Sequence, residues 1–150
     1  MLKIVKKAII IFQILIGSQL LFGCSLFEKQ QFECSSETIN GDEIIVDFTK
    51  INPGSWDTLL LVPPYATAEQ INLDYLDSEF LKQRALDDSK VMGAFLKNEK
   101  LIGFTACGRY PFDLLRLFDD LDSVFVLKIP RSEAVFRFTK NEEERFKLKK

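Results

Sequence analysis

Residues 56–71 read WDTLLLVPPYATAEQI, and this stretch sets the fold class. Toward its end the run Trp56 to Val62 is apolar on both alternating faces, which suits a central strand covered on both sides. Pro63-Pro64 stops the strand, because proline has no N–H to give to a ladder. Thr67-Ala68-Glu69-Gln70 then forms a capping-box pattern, in which Thr67 caps the helix and Gln70 reaches back. Leu73, Leu76 and Phe80 continue at helical spacing, with a break or recap expected at Asp77-Ser78. One or two helices are predicted over 68–87.

Upstream, Glu43 to Thr49 (EIIVDFT) alternates Ile44, Val46 and Phe48 against polar neighbours and reads as a strand. A helix using Ile44, Ile45, Phe48 and Ile51 is the competing pattern. Asn52-Pro53-Gly54-Ser55 has Pro53 and Gly54 where a type II turn wants them. Downstream, Val91 to Lys97 and Leu101 to Cys107 read as a hairpin across Asn98-Glu99-Lys100. Gly93 and Gly103 mark bulges or close backbone approach. Leu114, Leu117, Phe118 and Leu121 fall at i, i+3, i+4, i+7, a helix of about three turns. Val124 to Ile129 and Ala134 to Thr139 read as a second hairpin around Pro130-Arg131-Ser132-Glu133. The order of elements predicts an α+β domain: a mostly antiparallel sheet of five or six strands, with one or two helices packed on one face.

The start of the chain has a different character. Lys3, Lys6 and Lys7 precede an apolar run from Ala8 to Phe22, the layout of a secretory signal. Fifteen helical residues span roughly 22 Å, short of the ~30 Å hydrocarbon core of a bilayer. The run closes in Leu21-Phe22-Gly23-Cys24, which resembles the lipobox of bacterial lipoproteins, although Phe22 stands where small residues are commonest. The resemblance implies that the Cys24 thiol receives a diacylglyceryl group, that a signal peptidase cuts before it, and that the new N-terminus is acylated. By analogy with enteric bacteria, Ser25 is compatible with outer-membrane sorting where there is an outer membrane. The expected organisation is a signal peptide over 1–23, a tether over 24–41, one globular domain over 42–140 and a solvated charged tail over 141–150.

Removing residues 1–23 leaves 127 residues with 17 basic and 22 acidic side chains, a net charge of −5. Such a surface disfavours nucleic-acid or anionic-lipid binding through its overall charge. With Cys24 assigned to lipid, Cys34 and Cys107 remain as an even pair in an oxidising compartment. They either form a disulfide, or leave a buried thiol at Cys107 and an unpaired Cys34 in a flexible lead. The chain has no histidine. That removes Ser-His-Asp and Cys-His nucleophile systems and His-based zinc sites. Two remaining thiols are too few for an all-cysteine zinc site, so no metal or cofactor is expected.

Acid–base work needs two carboxylates held together in a cleft. The clusters Asp87-Asp88, Asp119-Asp120-Asp122 and Glu142 to Glu144 lie at element ends or in the tail, where a solvated face explains them. No catalytic residue is assigned. Trp56, Asp57, Pro64, Tyr65 and Thr67 resemble a Trp-Asp…Pro-Tyr motif of small uncharacterised bacterial secreted proteins and lipoproteins, a resemblance that covers about 16 residues and implies no activity. As a surface, Trp56, Asp57 and Tyr65 would line a groove. The favoured expectation gives Trp56 and Tyr65 to packing and Asp57 to a turn hydrogen bond. Arg109-Tyr110-Pro111-Phe112 is a loop suited to protrude. The leading expectation is a membrane-anchored, non-enzymatic envelope binding or accessory module. The alternatives are a small hydrolase using carboxylates alone, and an inhibitor or immunity lipoprotein.

Overall fold

The computed structural model describes residues 29–39, 41–119, 126–140 and 146–148. Cys24, the leader, residues 120–125 (with Asp120, Asp122 and the start of the strand expected from Val124) and residues 141–145 (with Glu142 to Glu144) lie outside them. Among the described residues nine strands form two sheets: β1 (Gln30–Phe32), β2 (Glu37–Ile39), β3 (Glu43–Asp47), β4 (Thr58–Val62), β5 (Lys90–Lys97), β6 (Lys100–Gly108), β7 (Leu127–Pro130), β8 (Val135–Lys140) and β9 (Phe146–Leu148). The larger sheet has the order β1-β6-β5-β4-β7 and is antiparallel except for β1 beside β6. The smaller sheet, β2-β3-β8-β9, is antiparallel throughout. Among the described residues there are three α-helices: α1 (Phe48–Ile51), α2 (Ala68–Ile71) and α3 (Tyr75–Arg84). The α+β class holds, but the single expected sheet is two.

Strand β4 shows why. Leu59, Leu60, Leu61 and Val62 are each fully buried. Burying one such side chain stabilises the fold by roughly 1.5–3 kcal/mol relative to exposure. Because side chains alternate along a strand, Leu60 and Val62 face one way, packing with Ile71, Leu81 and Ala85 of the helical layer. Leu59 and Leu61 face the other way, against Ile44, Val46 and Phe138 of the smaller sheet. The result is three layers, helices over large sheet over small sheet. Close approach of the layers depends on glycine. A Cβ on Gly93 would lie 2.8 Å from the Phe48 ring; within the large sheet, one on Gly103 would lie 2.7 Å from the Phe32 ring of neighbouring β1.

Several local expectations change. The strand over 43–49 ends at Asp47, whose carboxylate accepts the Thr49 N–H and caps α1. Gly54 is not at positive φ, so no type II turn forms; Asn52 Oδ1 instead accepts the Gly54 N–H at 3.0 Å. The capping box of Thr67 and Gln70 is present as expected. The helical break falls at left-handed Asn72, and α3 is recapped by Asp74 rather than at Asp77-Ser78. Asp77, Ser78 and Leu81 make the buried stripe of α3, while Leu76 is exposed. Strands β5 and β6 do form a hairpin, with two turn residues, Asn98 and Glu99, both at positive φ. Leu96 pairs with Leu101 and Phe95 with Gly103, which leaves Ile102 as the extra residue of a bulge.

Four larger corrections concern the lead and the second half of the chain. The tether expected over 24–41 contains β1 and β2, and Cys34 in that lead is bonded to Cys107. The expected three-turn helix at Leu114 is a single 3-10 turn, Leu114–Leu117, among the described residues. The hairpin expected around Pro130–Glu133 does not form: β7 pairs with β4 in the large sheet and β8 with β3 in the small one. A 3-10 turn, Arg131–Glu133, carries the chain between the two sheets. Part of the charged tail, Phe146–Leu148, pairs with β8 as β9.

Candidate functional site

The candidate surface residues divide between the two ends of the large sheet. Trp56 and Asp57 precede β4, at the end that carries the β5–β6 turn. Tyr65 follows β4, and Arg109 and Tyr110 follow β6, at the opposite end. Six residue steps from Asp57 to Pro63 cover about 20 Å of strand, so no one groove holds all five.

At the first end, Trp56 is 4% exposed and packs its ring 5.2 Å from that of Phe95. Its indole Nε1–H donates to the Asn52 carbonyl at 2.7 Å, which settles the polar edge of a buried ring. Asp57 is a clasp. Its carboxylate accepts the Asn98 N–H at 2.8 Å, and that bond chiefly lowers its pKa from the ordinary carboxylate value. Its backbone carbonyl also accepts the Arg131 N–H at 2.9 Å. Packing for Trp56 and a turn bond for Asp57 are therefore the observed roles. Beside the turn, Asn72, Leu73, Asp74, Asn98, Lys100 and Lys128 contribute to an open polar cleft of about 400 Å³.

The far end is different in chemistry. Tyr65 sits at φ 62°, and its N–H donates to the Ala85 carbonyl at 2.7 Å. That backbone conformation turns the ring outward, and Tyr65 is 64% exposed rather than packed as expected. Leu86, next along the chain, is 61% exposed. The Arg109 N–H donates to the Ser89 carbonyl, so the short segment from Ala85 to Ser89 bridges the Tyr65 turn and the Arg109 loop. The Arg109 guanidinium lies 2.9 Å from Asp113; this hydrogen bond and charge raise its pKa further. Tyr110 follows at 91% exposure, before a cis Tyr110–Pro111 bond and the buried Phe112.

Tyr65, Arg109 and Tyr110 are thus brought to one rim, and Leu86 joins them. Leu86 lies off the Leu73, Leu76, Phe80 spacing and directly before Asp87-Asp88. An apolar residue outside the helical stripe was the available signal. Two tyrosines and a leucine around a fixed guanidinium–carboxylate pair can bind a partner surface, since aromatic and Arg side chains favour interfaces. Among the described residues no three His, Cys, Asp or Glu side chains gather into a metal site. Among them, too, no helix is long and apolar enough to cross a membrane. Cys24 lies outside the described residues.

Comparison with protein-family models, with curated proteins and with solved structures gives no match.

Proposed function

We propose that this chain is a lipid-anchored protein of the bacterial envelope whose folded domain is a non-enzymatic binding module. The supporting observation is the use of its three cysteines. Cys34 and Cys107 are bonded to each other, a bond that persists in oxidising compartments and is rare in the cytosol. Cys24 is left over, and it closes an apolar run in register with a basic start. The rim of Tyr65, Leu86, Arg109 and Tyr110 is the surface offered to an envelope protein. A second reading, an inhibitor or immunity lipoprotein, is favoured by the protrusion of Tyr110 from a loop held by Arg109 and Asp113. The test is affinity capture of the native anchored protein beside Tyr110→Ala, with Tm checking that the fold is kept. A stoichiometric partner lost in Tyr110→Ala supports the module, and a hydrolase partner favours the inhibitor. A partner retained in full by Tyr110→Ala would remove this rim from the proposal.

A further inference from the structure

The place where the lead joins the sheet restricts how an anchored domain can stand on a membrane. Strand β1 runs parallel to β6, with Gln30 beside Gly103 and Phe32 beside Thr105, so its N-terminal end lies toward the β5–β6 turn. Lys29 fixes that entry. Its ammonium donates to the Leu101 carbonyl at 2.8 Å and pairs with the buried Asp77 carboxylate at 2.9 Å. Asp77 in turn accepts the Leu101 N–H at 3.0 Å. Only five residue steps separate Cys24 from Lys29, a reach of at most about 18 Å.

The far end is out of that range. From Leu101 to Gly108 the chain covers about 23 Å of strand. A Cys24 held in the bilayer therefore cannot stand the domain end-on with the Tyr65–Tyr110 rim against the membrane while Lys29 stays on Leu101. The end left near the headgroups carries the polar cleft, where exposed Lys100 and Lys128 stand with Asp74 and Glu99. Asp74 is occupied in capping α3, accepting the Asp77 N–H at 2.9 Å. Lys97, also exposed, donates to Ser55.

We infer that the domain stands with the β5–β6 turn and the Lys100–Lys128 cleft against the phospholipid headgroups, their ammonium groups meeting lipid phosphates, and holds the Tyr65–Tyr110 rim away from the membrane. This rests on the lipidation of Cys24 proposed above. It joins the anchor to the binding rim, because the partner is met on the side remote from the bilayer.

The experiment uses the native protein purified from membranes and reconstituted in phosphatidylethanolamine–phosphatidylglycerol vesicles. A small fraction of the lipid carries an amine-reactive ester on its headgroup. Peptide mass spectrometry then reads which lysines have coupled and, in the same digest, whether Cys24 is acylated. Lys97, Lys100 and Lys128 should couple several-fold more than Lys82 and Lys90, which lie toward the opposite end. Equal or reversed yields on a protein with acylated Cys24 would overturn the orientation and leave the anchor standing. An unacylated Cys24 would overturn the proposed anchor, and the orientation with it.

Discussion

The ammonium of Lys29 lies 2.9 Å from the carboxylate of Asp77, whose side chain is 6% exposed. This contact ties the polar lead to the first turn of α3. Breaking a buried pair from one side strands the other charge, at about 3–5 kcal/mol. Because the Lys29 side chain keeps 24% of its exposure, Lys29→Ala should cost about 3 kcal/mol, at the low end of that range. Asp77→Asn should cost less, since the amide oxygen can still accept the Leu101 N–H. Urea unfolding measures both. A Lys29→Ala loss under about 0.5 kcal/mol, the scale of an ordinary surface change, would mean that the lead is not held there.

The disulfide makes a second prediction. Cys34 and Cys107 are 73 residues apart, and closing so long a loop constrains the unfolded chain. Reduction, or Cys34→Ala with Cys107→Ala, should cost about 2–4 kcal/mol. Alkylation before and after reduction, read by intact mass, checks the bond itself. Two thiols free in unreduced envelope protein would contradict it.

Trp56 is the third case. Trp56→Ala should cost about 3–5 kcal/mol, as for other buried large aromatics. Trp56→Phe keeps the contact with Phe95 but leaves the Asn52 carbonyl without its donor, a loss of about 1–3 kcal/mol. Unchanged stability with a lost partner would return Trp56 to the binding surface.

Much of this was legible in the sequence, and the exceptions share a cause. Leu59 to Val62, the Thr67–Gln70 box and the β5–β6 hairpin are local patterns, and each appears in the structure. Periodicity identifies a strand but not its neighbour. Val124 to Ile129 and Ala134 to Thr139 thus read as one hairpin, although the strands found there, Leu127–Pro130 and Val135–Lys140, belong to different sheets. Strands β1 and β2 have three residues each and no apolar alternation. They are held by long-range partners, β6 and β3, which no local pattern names. The rim was half visible. Tyr110 stood out in a Pro-containing loop, whereas the exposure of Tyr65 depends on a positive φ after two prolines.

A fourth prediction concerns acid. The side-chain hydrogen bond from Ser89, then the bond and charge of Lys90, hold the Asp87 pKa at about 2. Asp57 is lowered by the Asn98 N–H. A depressed folded pKa gives stability above the ordinary carboxylate value, and that stability disappears as pH falls through the folded one. Asp87→Asn should therefore lower Tm at neutral pH, and its gap to the parent protein should close between about pH 4 and pH 2. Thermal scans across that window read it. A gap constant with pH would show that the Asp87 charge is not what matters.

The proposed anchor carries the rest of the functional account, and one chemical measurement addresses it. A single acyl chain binds membranes only marginally, at ~10⁴ M⁻¹, while two or more hold stably. The measurement is mass spectrometry of the N-terminal peptide of the mature protein, isolated from its native membrane. The expected result is a peptide that begins at Cys24 and carries a diacylglyceryl group on its sulfur. An unmodified Cys24, or a mature chain beginning at any other residue, would contradict the assignment.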